Sequence, residues 1–274
     1  MPINVDAVVV SNDRLSANYN IVKLAAPAIA AQCLPGQFVM VKRGFDTDPL
    51  LRRPFSVFEV LRDRRNQVVG LSLLNKHVGV MTRAIFEVQP GDRIQCLGPL
   101  GNPFSMVDPP SEAWMVAGGV GLAPFVTLAP TLRARRSPVT LFYGGRTAAD
   151  LFHLDFFEGL GVSVVLTTED GSQGEGGRVT APLERALKAF PSNAPLMIYA
   201  CGPTPMMRAV AQLGNRYHRP TEVSLEPVMG CGLGGCYSCV VRLRRDNGAG
   251  SFVRSCLDGP VFRGDQILWD ELFH

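Results

Sequence analysis

The sequence lacks any apolar run long enough to cross a bilayer. Nothing in its 274 residues approaches the 18 or so consecutive apolar side chains a spanning helix needs. Its start, MPINVDAVVVSNDRL, lacks the basic stretch and long apolar segment of a secretory leader. There is no dense Lys/Arg block, and a formal charge of +3 argues against a nucleic-acid surface. Only four histidines occur (His77, His153, His218 and His274); their spacing suits no metal, and they read as surface or satisfied groups. Charged residues are scarce at 19% against 46% hydrophobic, which excludes disorder. No repeat or low-complexity tract is present. These absences leave a compact cytoplasmic protein, bound to neither membrane nor nucleic acid.

Cysteine is present, seven times. An odd count in a chain of this size does not suit a disulfide framework and fits metal-bound thiolates in a reducing compartment. Four of the seven, in CGLGGCYSCVVRLRRDNGAGSFVRSC, form C-x4-C-x2-C followed after sixteen residues by one more: Cys231, Cys236, Cys239 and Cys256. That spacing is the plant-type arrangement for a [2Fe–2S] cluster. Three thiolates converging from one loop require a tight wrap, which Gly230, Gly232, Gly234 and Gly235 permit. A structural zinc site and scattered buried thiols are the alternatives, although zinc sites usually pair two C-x2-4-C knuckles.

Around this motif the chain changes texture. Strand-like stretches at 5–10, 20–24, 35–43, 55–60, 68–74 and 92–98, punctuated by turns, predict an N-terminal antiparallel β-barrel over 1–105, with one short helix near 81–88. Asp108-Pro109-Pro110 reads as a linker. Beyond it, apolar strands at 113–119, 138–145, 162–170 and 195–203 alternate with helical lengths, predicting a parallel α/β domain over 110–224. The remainder, 225–274, is expected to be a small cluster domain. The fold class is thus mixed β and α/β.

Candidate binding residues lie at the ends of these strands. In LLRRPFSV, Arg53 offers a fork for a pyrophosphate, Pro54 bends the strand, and Ser56 beside Phe55 offers a hydroxyl to a ring system. In NKHVGVMT, Asn75 and Lys76 lead to Gly79, Met81 and Thr82 at a helix start, where free N–H groups favour an anion. GPLGNPF (98–104) is a loop at the barrel exit, either functional or a simple turn. Gly118, Gly119 and Gly121 would let a diphosphate approach the next helix, although this is not a G-x-G-x-x-G fingerprint. Cys201, followed by Gly202 and Pro203, falls at the carboxyl end of a strand, where a thiol can meet a nicotinamide or simply be buried. YGGR and TTEDG end on the same rim, with Arg146 suited to a 2′-phosphate and Glu169 or Asp170 to a ribose hydroxyl; Cys33 and Cys96 look like barrel core.

Taken in order, R-P-x-S, G-P-L-G-N, A-G-G-V-G-x-A-P, C-G-P-x-x-M and the terminal cysteines make the chain resemble the ferredoxin–NADP reductase superfamily. Within it, SLEPVMGCGLGGCYSCVV and SCLDGPVF resemble the electron-transfer subunits of class B dihydroorotate dehydrogenases. The resemblance implies FAD on the barrel, with Arg53 near its pyrophosphate and Ser56 near the reactive flavin nitrogen. It also implies NAD, with NADP open, at Gly118–Gly121 and Cys201–Pro203, and a [2Fe–2S] cluster on the four cysteines. Ser56 and Cys201 become the candidate catalytic residues. Met81 stands where the family's G-x-G-T has its second glycine. The implied partner is an FMN-containing dihydroorotate dehydrogenase catalytic subunit in a heterotetramer. Reductase subunits of hydrogenases, sulfite reductases or transhydrogenases remain alternatives, as does a zinc or redox-sensing module without turnover. A chain holding both flavin and cluster makes chemical sense, because nicotinamide moves electron pairs, a [2Fe–2S] cluster takes one, and a flavin does both.

Overall fold

The computed structural model describes residues 1–44, 50–244 and 250–272, so His274 lies outside the described residues. The chain divides into two compact units: Met1–Pro103 with Glu226–Val240 and Arg254–Pro260, and Phe104–Leu225 with Val241–Val253 and everything from Val261 on. The fifty residues expected as a separate cluster domain are therefore shared out between the two units.

The first unit is an antiparallel sheet of seven strands: β1 (Ile3–Arg14), β2 (Tyr19–Ala25), β3 (Phe38–Arg43), β4 (Arg53–Ser56), β5 (Glu59–Arg62), β6 (Val68–Lys76) and β7 (Arg93–Leu100). Two short helices accompany them, α1 (Pro27–Ala30) and α2 (Val80–Phe86). The strand order is β4-β3-β7-β1-β2-β6-β5. The sequence pattern predicts one strand over 55–60, but the structure has two, at opposite ends of that order. Between them, the Val57 N–H donates to Gln37 O (3.2 Å) on one side and the Phe58 N–H to Ser72 O (2.9 Å) on the other. Both side chains are buried, so the alternation of a single strand fails here and the chain crosses the barrel seam. Cys33 and Cys96 join the core, and burial pushes both thiols up to about 12.

The second unit is a sheet in the order β11-β10-β9-β8-β12-β13-β16. Its strands are β8 (Glu112–Gly118), β9 (Val139–Gly145), β10 (Ser163–Thr168), β11 (Glu175–Gly176), β12 (Leu196–Cys201), β13 (Thr221–Ser224) and β16 (Val261–Arg263). All pair in parallel except β16, an antiparallel edge strand. Helices α3 (Ala123–Ala134), α4 (Leu154–Gly159), α5 (Thr180–Ala189) and α6 (Thr204–Arg216) connect them. All six residues of β12 are buried, as a central parallel strand requires. A two-stranded ladder, β14 (Val240–Arg244) with β15 (Gly250–Arg254), and the short α7 (Ser255–Asp258) complete the chain. Among the described residues no helix is long and apolar enough to cross a membrane.

The G-P-L-G-N loop has a structural task within the first unit. The Asn102 N–H donates to Gly259 O (2.5 Å), and its Nδ2 donates to Asp258 O (2.9 Å) and Leu257 O (3.3 Å). These carbonyls end α7, so Asn102 caps the helix that carries Cys256. Gly101 makes the approach possible: its φ is +77°, and a Cβ there would lie 2.4 Å from Pro260 Cδ and 2.8 Å from Gly259 O. Gly101→Ala should destabilise the unit by about 2–4 kcal/mol, combining left-handed strain with overpacking. Gly91→Ala, also at positive φ but with open space around it, should cost only about 1–2 kcal/mol. Denaturant unfolding of the two variants side by side checks the difference.

Candidate functional site

The cysteine loop lies on the barrel. Cys239 and Cys256 are buried with Met229 against Phe38 and Met40 of β3 and Leu97 and Leu100 of β7. Gly232 has φ +72°, and a Cβ there would sit 2.6 Å from Met40 Cγ, so a side chain would lift the loop off β3. The thiols lie in two neighbouring pairs, Cys231 with Cys236 and Cys239 with Cys256. Cys236 is exposed and Cys231 partly so, whereas Cys239 and Cys256 are 2% and 1% exposed. The loop thus has an inner and an outer pair.

The pairs differ electrostatically. The Ser238 hydroxyl and backbone, followed by Cys231, draw the Cys236 thiol down to about 6. Burial, followed by the bond with Cys239, pushes Cys256 up to about 12. Among the described residues, no three His, Cys, Asp or Glu side chains surround a point suited to one metal ion. Four cysteines in two pairs suit a two-iron core, in which each iron takes two thiolates.

The candidate flavin residues share this sheet face. In the β3–β4 ladder Ser56 pairs with Phe38 and Pro54 with Met40. Phe38 and Met40 are the β3 side chains that meet the cysteine loop. Pro54 and Ser56 stand on β4, Phe38 and Met40 on β3, and Leu97 and Leu100 on β7. Two strand spacings, about 10 Å, separate the first row from the last. Phe55 points the other way, into the barrel core, so only its backbone can meet a ligand on that face. Arg53 is exposed, and its guanidinium donates to the carbonyls of Leu51 and Arg52 (3.1 Å each); no carboxylate pairs with it among the described residues.

At the start of α2, Gly79 has extended backbone and a Cβ there would meet nothing within 4 Å. The fold itself has no steric need for glycine at this position, as expected where a ligand approaches. Val78 and Val80 beside it are 73% and 71% exposed. Thr82 Oγ1 accepts from the N–H groups of Val78 and Gly79 (2.9 Å each), so its side chain shapes the loop. Met81 is buried in the barrel core. Its side chain is thereby accommodated where the family has glycine, and its contribution to a ligand is limited to backbone. Lys76 is half-buried, with its ammonium 4.9 Å from the Tyr19 ring.

Asn75 is fully buried, and its amide donates to Asn20 Oδ1 (2.8 Å) and Thr82 O (2.9 Å). Asn20 in turn donates to Asn12 Oδ1 (2.6 Å), and Asn12 to the carbonyls of Phe86 (3.0 Å) and Val88 (2.8 Å). Three strand asparagines thus tether both ends of α2. Sequence reasoning placed Asn75 on the cofactor and missed Asn12 and Asn20. Asparagine is depleted in strands, and four in one sheet, Asn4 with these three, was the available signal.

In the second unit β8 and β12 are neighbours, and the chain leaves β8 toward β9 but β12 toward β13, in opposite directions along the sheet. Ligands of such sheets bind beyond the carboxyl ends of the strands at this switch. Gly118–Gly121 follow β8 and Cys201–Pro203 follow β12, so the two segments meet there. Their glycines serve packing as well: a Cβ on Gly121 would lie 2.2 Å from Cys201 O, and one on Gly118 2.8 Å from Pro203 Cδ. Gly119, at φ +54°, faces open space. Tyr143 steadies it, donating its hydroxyl toward Gly119 O (3.2 Å) and Asp150 O (3.0 Å). Cys201 is fully buried rather than an exposed thiol. At the strand tips Arg146 is exposed, while Asp170 accepts from the Ser172 hydroxyl (2.6 Å) and N–H (3.0 Å), which hold its carboxyl below the usual range.

Three family models match in order along the chain: an oxidoreductase FAD-binding domain over residues 6–104, an oxidoreductase NAD-binding domain over 115–212, and the iron–sulfur cluster binding domain of dihydroorotate dehydrogenase B over 226–268. The chain is 37% identical to the electron transfer subunit of dihydroorotate dehydrogenase B (NAD(+)) from Desulforamulus reducens, covering 97% of this chain and 98% of that one. It is 39% identical to the same subunit from Bacillus caldolyticus, over 85% and 86%. Among solved structures it resembles an NADH-dependent reduced ferredoxin–NADP oxidoreductase (TM-score 0.83, 28% identity, 98% and 91% covered) and the ferredoxin reductase of a carbazole 1,9a-dioxygenase (0.67, 25%, 80% and 67%). With FAD-, NAD- and iron–sulfur-binding segments in this order, the chain belongs to the family of dihydroorotate dehydrogenase B electron transfer subunits.

Proposed function

We propose that this chain moves electrons between NAD(H) and a separate FMN-containing dihydroorotate dehydrogenase subunit, in the oxidation of dihydroorotate to orotate for pyrimidine biosynthesis. The observation that carries this is the common sheet face: Pro54 and Ser56 on β4, and the buried Cys239–Cys256 pair over β3 and β7. When bound, FAD exchanges a hydride with nicotinamide and passes electrons singly, and the cluster takes them one at a time. The chain's own residues position these groups. Arg53 and the first-turn N–H groups of α2 hold the pyrophosphate, and Ser56 faces the flavin ring. Gly119 and the Gly202–Pro203 turn receive the nucleotide, with the buried Cys201 backing that turn at the end of β12. Cys231, Cys236, Cys239 and Cys256 hold two irons.

The outer thiol pair faces the partner. The cysteine loop and the short helix after it carry four exposed apolar side chains, Val228 (81% exposed), Leu233 (55%), Tyr237 (64%) and Leu257 (42%), alongside exposed Cys236. We place the catalytic subunit over this patch, in a cytoplasmic heterotetramer. The likeness to the ferredoxin–NADP oxidoreductase over nearly the whole chain favours a second reading, in which the same machinery serves another redox partner. Co-purification from the native cell, with mass spectrometry of the companion chain, separates the two.

Three outcomes test the proposal. The isolated holo-chain should reduce a dye with NADH but leave dihydroorotate untouched; dihydroorotate oxidation by this chain alone would contradict the division of labour. Cys236→Ser should lose the cluster absorbance while NADH still bleaches the flavin at close to the wild-type rate. Val228→Glu should weaken binding of the catalytic subunit at least tenfold, about 1.4 kcal/mol, by calorimetric titration with both cofactor spectra unchanged.

A further inference from the structure

Ser238 lies inside the C-x2-C turn, between the two thiol pairs, and its hydrogen bonding can be resolved atom by atom. Its Oγ accepts the Gly230 N–H at 2.8 Å. A backbone N–H only donates, so the serine proton points elsewhere. The second neighbour is Cys236 Sγ at 3.1 Å. A cysteine that holds iron is a thiolate and can only accept. The Ser238 O–H therefore donates to the Cys236 sulfur. The backbone enforces this arrangement: Tyr237 takes a left-handed conformation (φ +59°), uncommon for a residue with a bulky side chain. The reversal there folds Ser238 back onto the sulfur two residues earlier.

We infer that the Ser238 hydroxyl sets the reduction potential of the cluster by hydrogen-bonding to its Cys236 ligand, an inference that rests on the [2Fe–2S] reading above. Reduction adds one electron, and therefore negative charge, to the iron–sulfur core, while the hydroxyl keeps its proton. A donor to sulfur stabilises the reduced state more than the oxidised one and raises the potential. Ser238 is thus a positioning and tuning residue rather than a catalytic one. A second hydroxyl fits the same environment. Ser255, adjacent to Cys256, is fully buried, and its Oγ has no hydrogen-bond partner among the described residues. Buried hydroxyls are rarely left unmatched, and a cluster sulfur is an acceptor this site supplies.

The experiment is an EPR-monitored redox titration of the holo-subunit, wild type against Ser238→Ala, Ser238→Thr and Ser238→Val. Iron content and the EPR signal of reduced wild type test the cluster reading itself; absence of iron there sinks that reading, and this inference with it. With the cluster present, Ser238→Ala and Ser238→Val should shift the midpoint negative by about 59 mV, a tenfold change in the one-electron equilibrium. Ser238→Thr, which keeps the hydroxyl, should stay near wild type. An unchanged midpoint in the alanine and valine variants, or an equal shift in the threonine variant, would overturn the inference. Loss of iron in both Ser238→Ala and Ser238→Val would overturn it too, because the hydroxyl would then serve the Gly230 loop rather than the cluster.

Discussion

The structure turns on the burial of one thiol pair against the outer face of a β-barrel. Cys239 and Cys256 pack on Phe38, Met40, Leu97 and Leu100, and those side chains share their sheet face with Pro54 and Ser56. A loop of three cysteines has too little apolar surface to fold alone, so it takes its core from the barrel. That physical need places the four-cysteine loop on the same sheet face as Pro54 and Ser56 of β4. The Asn102 cap on α7, the Gly101 approach and the Gly232 contact with Met40 all hold this one seam in place.

The two ends of the route are built differently because they meet different partners. The proposed nicotinamide end lies at a topological switch in a parallel sheet, with packed glycines fixing the loops and Gly119 left open. The proposed exit end has an exposed thiol on a segment that also carries exposed apolar side chains, a composition suited to another protein rather than to a small molecule. Within the first unit the barrel contributes rigidity: the asparagine chain from Asn12 through Asn20 to Asn75 clamps α2 at both ends and so fixes the loop at Gly79.

Much of this was legible in the residues. C-x4-C-x2-C-x16-C identified the four thiols, apolar strands at helical spacing identified the parallel sheet, and Pro90-Gly91 and similar turns marked out the barrel. Three things were not legible. The barrel seam at Val57–Phe58 is invisible to a period-two pattern, since both residues are apolar and both are buried. The sharing of 225–274 between two units depends on long-range packing that local sequence does not carry. The roles of Asn75, Met81 and Phe55 could be guessed by position but not by direction, since each lies in a candidate binding stretch while its side chain turns inward.

The central claim is that electrons from nicotinamide reach iron only through a flavin seated on β4. Rapid mixing of NADH with subunit stripped of FAD but retaining its cluster tests this most directly. The account predicts that the iron–sulfur absorbance stays oxidised until FAD is restored, and then bleaches. Cluster reduction at an undiminished rate in the flavin-free protein would contradict it.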